Sequence, residues 1–129
     1  MKLGYVILYV PDVWETVRFY ETAFGLTNRF THETGQYAEM ETGATTLAFA
    51  SEEMVSSQGH VFRPNRPGDS PAGAEVALVT DEVAVSFQRA VDAGAVPFEE
   101  PAEKPWGQTV SYVRDLNGFL VEICSEVRS

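Results

Sequence analysis

Two carboxylates, Glu75 and Glu122, are the side chains of this 129-residue chain best placed to do chemistry. Each is set in a short apolar run: Glu75-Val76-Ala77-Leu78-Val79 and Phe119-Leu120-Val121-Glu122-Ile123-Cys124. A carboxylate in such surroundings needs a cation, a hydroxyl or a backbone donor to stay ionised. Two that converge raise one another's pKa, so the pair shares a proton or awaits a cation. A shared proton would serve general acid–base work. The hydroxyls of Tyr5, Tyr9 and Tyr112 are the internal groups that could satisfy the pair instead. Trp106, between Pro105 and Gly107, offers a face for stacking and cation–π contact with a flat cationic ligand. The only histidines, His32 and His60, read as exposed polar residues, and Cys124 as a small buried hydrophobe rather than a nucleophile.

Composition narrows the partners. Nine basic against nineteen acidic residues leave a net charge of −10, which opposes nucleic acid and anionic membrane and favours a cationic ligand. With 44% hydrophobic and 22% charged residues the chain has the composition of a globular domain. No apolar run approaches the roughly 20 residues that span a bilayer, and no signal pattern opens the chain. One cysteine excludes an intrachain disulfide and suits a reducing cytoplasm, the expected location.

The elements that must position these residues come as a repeat about 70 residues apart. Tyr5–Val10, Asp12-Val13 and an amphipathic stretch ending at Gly25 are echoed by Glu75–Thr80, Asp81-Glu82-Val83 and a stretch ending at Gly94. Val13, Val17, Tyr20, Ala23 and Phe24 recur at helical spacing, with Gly25 as the stop. Strands are expected at 3–10, 28–33, 36–42 and 45–50, then at 74–80, 96–99, 108–114 and 119–124, with a second helix near 82–93. Asn117-Gly118 signals a hairpin. The order is βαβββ twice, an α+β domain of curved mixed sheets forming a cup with helices on the outer face. The repeats cover about 3–50 and 74–125. Between them 51–73, with Arg63, Arg66 and three prolines nearby, reads as one long solvated loop, with a lid over the cup as the alternative.

Alternation along strands sorts the faces. Val6, Leu8 and Val10 go to the helix and leave Tyr5, Ile7 and Tyr9 inside. Leu47 and Phe49 leave Thr46, Ala48 and Ala50. Val76 and Leu78 leave Glu75, Ala77 and Val79. Phe119, Val121 and Ile123 leave Leu120, Glu122 and Cys124. The run Glu99, Glu100, Glu103 reads as a solvated acidic rim.

In this order and spacing the chain resembles the vicinal-oxygen-chelate superfamily of glyoxalases, extradiol dioxygenases, and fosfomycin- and bleomycin-resistance proteins. The resemblance rests on Val10-Pro11-Asp12, Phe19-Tyr20, Phe24-Gly25-Leu26 and Ala77-Leu78-Val79-Thr80-Asp81. It rests most of all on Pro105-Trp106-Gly107-Gln108 with Arg114-Asp115-Leu116-Asn117-Gly118-Phe119 and Glu122. Metal-bearing members keep a ligand on the first and last strand of each repeat. Those four slots fall here on Tyr5, Ala48, Glu75 and Glu122, and only Glu122 matches a usual ligand. Catalytic zinc, nickel or iron sites use at least three ligands including imidazole, so no cofactor is expected; the alternative is a hard divalent ion, Mg²⁺ or Mn²⁺, held by the two carboxylates through water.

The resemblance implies a homodimer and a small organic ligand, cationic or metal-chelating, bound without catalysis as in bleomycin resistance. Tyr5, Ile7, Tyr9, Glu75, Trp106, Tyr112 and Glu122 are the expected binding residues. The alternative is a glyoxalase-like lyase or isomerase with an atypical metal site, in which Glu122 would be catalytic.

Overall fold

The computed structural model describes residues 1–127. They form two compact units that divide at Asn65/Arg66, each a four-stranded mixed sheet carrying a helix on one face. Unit 1 contains β1 (Tyr5–Val10), α1 (Val13–Phe24), β2 (Thr27–Thr31), β3 (Tyr37–Glu41), β4 (Thr46–Ser51) and α2 (Glu52–Ser57). Unit 2 contains β5 (Glu75–Val79), α3 (Val83–Asp92), β6 (Val96–Lys104), β7 (Gln108–Arg114) and β8 (Leu120–Cys124). The strand orders β1-β4-β3-β2 and β5-β8-β7-β6 are equivalent, so the chain is two βαβββ units of an α+β fold.

Local chemistry explains the first helix. Asp12 accepts a hydrogen bond from the backbone N–H of Glu15 at 3.0 Å and so caps the N-terminus of α1. Gly25 ends it in the left-handed region at φ 68°, with its N–H returning to Glu21 and Tyr20 carbonyls. The apolar stripe of α1 covers β4 and β3. Tyr20 is fully buried, and its ring lies 4.8 Å from that of Phe49. In unit 2, Val83, Phe87 and Ala90 of α3 supply the covering stripe, and Val113, Val121 and Ile123 meet it from the sheet. The opposite face of each sheet is open along its first strand, although Thr46, Ala48 and Ala50 of β4 are buried, and the alternation of β1 and β5 is as the sequence indicates.

Three expectations need correction. The stretch 51–73 is not all loop: Ser51 caps α2 by accepting from the Met54 N–H at 3.3 Å, and Glu52 and Glu53 favour its first turn. The strand expected at 96–99 continues to Lys104 despite Pro97 and Pro101. It is an edge strand with two bulges, where prolines that cannot donate to a ladder are tolerated. The third concerns the lid. The Arg114 guanidinium donates to the carbonyls of Gly118 (2.9 Å), Arg66 (3.2 Å), Pro67 (3.3 Å) and Asp69 (2.7 Å). The segment 66–69 is therefore strapped to the β7–β8 hairpin, which a free lid would not be.

That hairpin also differs in type from the simplest Asn-Gly turn. Asn117 keeps a negative φ and only Gly118, at φ 86°, is left-handed, so a type I turn runs into a bulge. Asp115 Oδ1 holds it by accepting from Asn117 N–H (2.8 Å) and Phe119 N–H (2.9 Å).

Candidate functional site

Register places the four expected slots identically in the two units. In unit 1 Tyr5 pairs with Thr46, and Ala48 is the next residue of β4 on the same face. In unit 2 Glu75 pairs with Leu120, and Glu122 is the next residue of β8 on the same face. Glu122 lies between Ala77 and Tyr112 on the flanking strands. The open face of unit 2 thus brings Glu75, Tyr112 and Glu122 together. The Tyr112 hydroxyl donates to Glu122 Oε1 at 2.9 Å, which realises one of the three internal partners expected from sequence. Glu99 of β6 pairs with Tyr112 on its far side.

The electrostatics follow from this crowding of acids. Partial desolvation, and then the charge of Glu122, raise the Glu75 carboxyl above its ordinary value of 4.5. Burial, then the hydrogen bond to Glu122 and its charge, push the Tyr112 phenol up to about 12. Glu75 binds its proton more tightly folded than unfolded. The stability linked to that proton is fully present below pH 4.5 and lost as pH rises through the folded-state value. Glu75→Gln is therefore expected to raise the melting temperature at pH 7 but not at pH 4, in thermal denaturation at both. Equal shifts at the two pH values would refute the coupling.

Cys124 is only 2% exposed. Burial, then the Glu122 hydrogen bond and charge, push its thiol up to about 11, outweighing the lowering by Gln108. The expected absence of a nucleophile here has a physical basis. Iodoacetamide at pH 8 should alkylate the native protein about 100-fold or more slowly than the unfolded chain, reflecting the smaller thiolate fraction. Comparable native and denatured rates would contradict this.

Unit 1 gathers Tyr5, Ile7 and Tyr9 on its open face beside Ala48. Tyr5 and Ile7 are exposed, whereas the Tyr9 ring meets the edge of Phe62, with centroids 5.0 Å apart. Tyr37 and Glu39 of β3 join this face and were missed. Glu39 pairs directly with Ala48, and the Tyr37 hydroxyl donates to Glu39 Oε2 at 2.8 Å. Burial, then that bond and the Glu39 charge, push the Tyr37 phenol up to about 12. The period-two pattern Tyr37-Ala38-Glu39-Met40-Glu41 carried the signal, since Ala38 and Met40 are fully buried on the other side. Arg29, at a bulge in β2, crosses this face. It donates to Thr46 Oγ1 (2.8 Å) and the Met40 carbonyl (3.4 Å), and pairs with Glu41 (3.2 Å) and Glu39 (3.9 Å).

Trp106 is not brought to Glu75 and Glu122. It stands half-exposed at the tip of the β6–β7 hairpin, six positions before Tyr112, on the order of 15–20 Å along the strand. Its indole N–H donates to Gln108 Oε1 at 2.7 Å. The neighbouring Gly107 lines a separate cleft of about 470 Å³, with Asp81, Glu103, Thr109 and Ser125.

The donor set does not fit a transition metal. Ala48 offers no ligand atom, and the slots contain no imidazole. Among the described residues no three His, Cys, Asp or Glu side chains gather where they could hold an ion. His32 instead shares a 2.7 Å hydrogen bond with Thr34 in the turn after β2.

Solved structures share this architecture at low identity. A glyoxalase-related enzyme from Fulvimarina pelagi is 23% identical with a TM-score of 0.81, the match covering 98% of this chain and 88% of that one. TioX from Micromonospora sp. ML1 is 23% identical with a TM-score of 0.74, covering 98% and 100%. A glyoxalase/bleomycin resistance protein/dioxygenase family enzyme from Burkholderia phytofirmans PsJN is 19% identical with a TM-score of 0.74, covering 97% and 98%. No curated protein matches the chain significantly. At these identities the likeness establishes the fold alone. The family profile matches residues 2–123, nearly all of both βαβββ units, and the chain therefore belongs to the Glyoxalase/Bleomycin resistance protein/Dioxygenase superfamily.

Proposed function

We propose that this chain binds a small cationic organic molecule on the open face of unit 2 and holds it without converting it, in the manner of bleomycin-type resistance. One observation carries the reading: Glu75 and Glu122 share a face on neighbouring strands, and among the described residues no Lys or Arg pairs with them or with Glu99. In unit 1, by contrast, Arg29 pairs with Glu39 and Glu41. A cation approaching unit 2 meets uncompensated carboxylates inside the field of a −10 protein. Tyr112 donates to Glu122 Oε1, and the Cys124 thiol is also hydrogen-bonded to that carboxylate. The phenol and thiol of this face both hold their protons at neutral pH, so neither is an activated nucleophile.

The functional unit is proposed to be a cytoplasmic homodimer, two-fold symmetry being the common solution for a module of this size. Sedimentation of the purified protein reads its mass. The binding test is calorimetric titration with a cationic glycopeptide of the bleomycin class. Binding that weakens as salt rises is the expected result. An absence of heat and of thermal stabilisation at millimolar ligand would refute the reading.

A second reading draws on the raised carboxyl of Glu75. Two carboxyls on one face, with that of Glu75 raised by partial burial and by the Glu122 charge, could move a proton in a lyase or isomerase reaction without a metal. A lactoylglutathione-lyase assay, run with and without divalent metal, separates the two. Turnover lost in Glu122→Gln would favour the enzyme.

A further inference from the structure

We propose that the strap 66–69 is a latch on the open face of unit 2: docked, it turns Arg114 away from Glu122, and released, it lets Arg114 fold back onto Glu122 and close that face to cations. The effect on cations rests on the binding reading above, whereas the latch itself does not. Strand register puts Arg114 on the face that carries the acids. It pairs with Leu120, and Tyr112, two residues earlier on β7, pairs with Glu122 and donates to it. Arg114 and Glu122 are thus diagonal neighbours on antiparallel strands, about 7–8 Å apart at the backbone and within reach of a long side chain. On the other flank Arg114 pairs with Val96, and Glu99 of the same strand pairs with Tyr112.

An arginine so placed is expected to pair with a carboxylate, because bonds between two charged groups are the stronger ones. Arg29 of unit 1 does so, with Glu39 and Glu41. Arg114 does not. Among the described residues no carboxylate pairs with it, and its guanidinium donates instead to four neutral carbonyls, those of Gly118, Arg66, Pro67 and Asp69. Three of the four belong to the strap, in which Pro67, Gly68 and Asp69 are exposed. Exposed segments with few buried contacts open locally at low free energy. When this one lifts, the guanidinium loses three of its four acceptors, and the diagonal carboxylate of Glu122 takes their place. Strap and Glu122 therefore compete for one guanidinium. Whatever removes or occupies the Glu122 charge favours the docked strap, and the coupling is reciprocal.

Hydrogen exchange at the Asp69 amide, which donates to the Arg66 carbonyl at 3.1 Å, reads the opening of the strap. Glu122→Gln deprives the released Arg114 of its ion pair, so exchange should slow about two- to fivefold, the range for an exposed pair. Glu33→Gln, which removes the same charge from a turn of unit 1, should leave the rate unaltered. With Arg114→Gln already in place, adding Glu122→Gln should no longer slow exchange. Unaltered or faster exchange in Glu122→Gln, or slowing that persists without Arg114, would overturn the latch. Added butyltrimethylammonium should slow exchange in the wild-type protein and have no further effect in Glu122→Gln. If the substitution slows exchange and the ammonium ion does not, the latch stands and the cation reading falls.

Discussion

Gly118→Ala is expected to destabilise the protein by about 3 kcal/mol, lowering the melting temperature by roughly 10 °C. Two costs combine at this position. Gly118 sits at φ 86°, a conformation that costs a residue with a Cβ about 1 kcal/mol. A Cβ there would also lie 2.5 Å from the Arg66 carbonyl oxygen, 2.7 Å from its carbon and 2.8 Å from Arg114 Nη2. The first two are backbone atoms and cannot swing aside. Relief requires moving the segment 66–69 off the hairpin, which breaks the carbonyl clamp of Arg114. Gly43→Ala is the control: its φ of 93° is similarly left-handed, but nothing lies within 4 Å of the new Cβ. It should cost only about 1 kcal/mol. Equal losses in the two variants, measured by thermal denaturation, would show that the close approach of the strap contributes nothing.

The second large effect concerns binding. Glu122→Gln is expected to lower affinity for the cationic glycopeptide by about 10- to 100-fold, the range for removing the charge from one charge-assisted hydrogen bond. Glutamine keeps the shape and an oxygen that can accept from Tyr112, so a loss reports charge rather than packing. The variant carries an internal check. The Glu122 hydrogen bond and charge help to raise the Tyr112 phenol to about 12, so its titration should move part of the way back toward 10. Burial, the largest cause, remains, so the return is incomplete. A ligand whose affinity is unaffected in Glu122→Gln binds elsewhere.

Much of the fold was legible because it is repeated. A helix flanked by Asp12 and Gly25 announces both ends through backbone groups that its own sequence satisfies. Strand alternation likewise placed Tyr5, Ile7, Glu75 and Glu122 on the open faces, because apolar neighbours must face the helix. The errors fall where local signals compete. Pro101 argues against the second half of β6, yet an edge position removes its penalty. Ser51 and two glutamates signalled α2 only weakly, and six residues are too few to show a period.

The site divides along the same line. Types and spacings in the chain alone determined two βαβββ units with matching strand faces, since these depend on strand period and repeat length; the resemblance to metal-bearing relatives then marked four slots on those faces, none of them a histidine. Only the tertiary structure decided what each face does with its charge. Register brought Tyr112 to Glu122 across ten residues of sequence and left Trp106 at a hairpin tip. A bulge carried Arg29 over seventeen residues to Thr46 and paired it with Glu39 and Glu41 on one face. The matching bulge in unit 2 holds Phe98, and the Arg114 of that face turns to the carbonyls of Gly118, Arg66 and Asp69. Hydrogen-bond register and side-chain reach are properties of paired strands, and no single strand contains them.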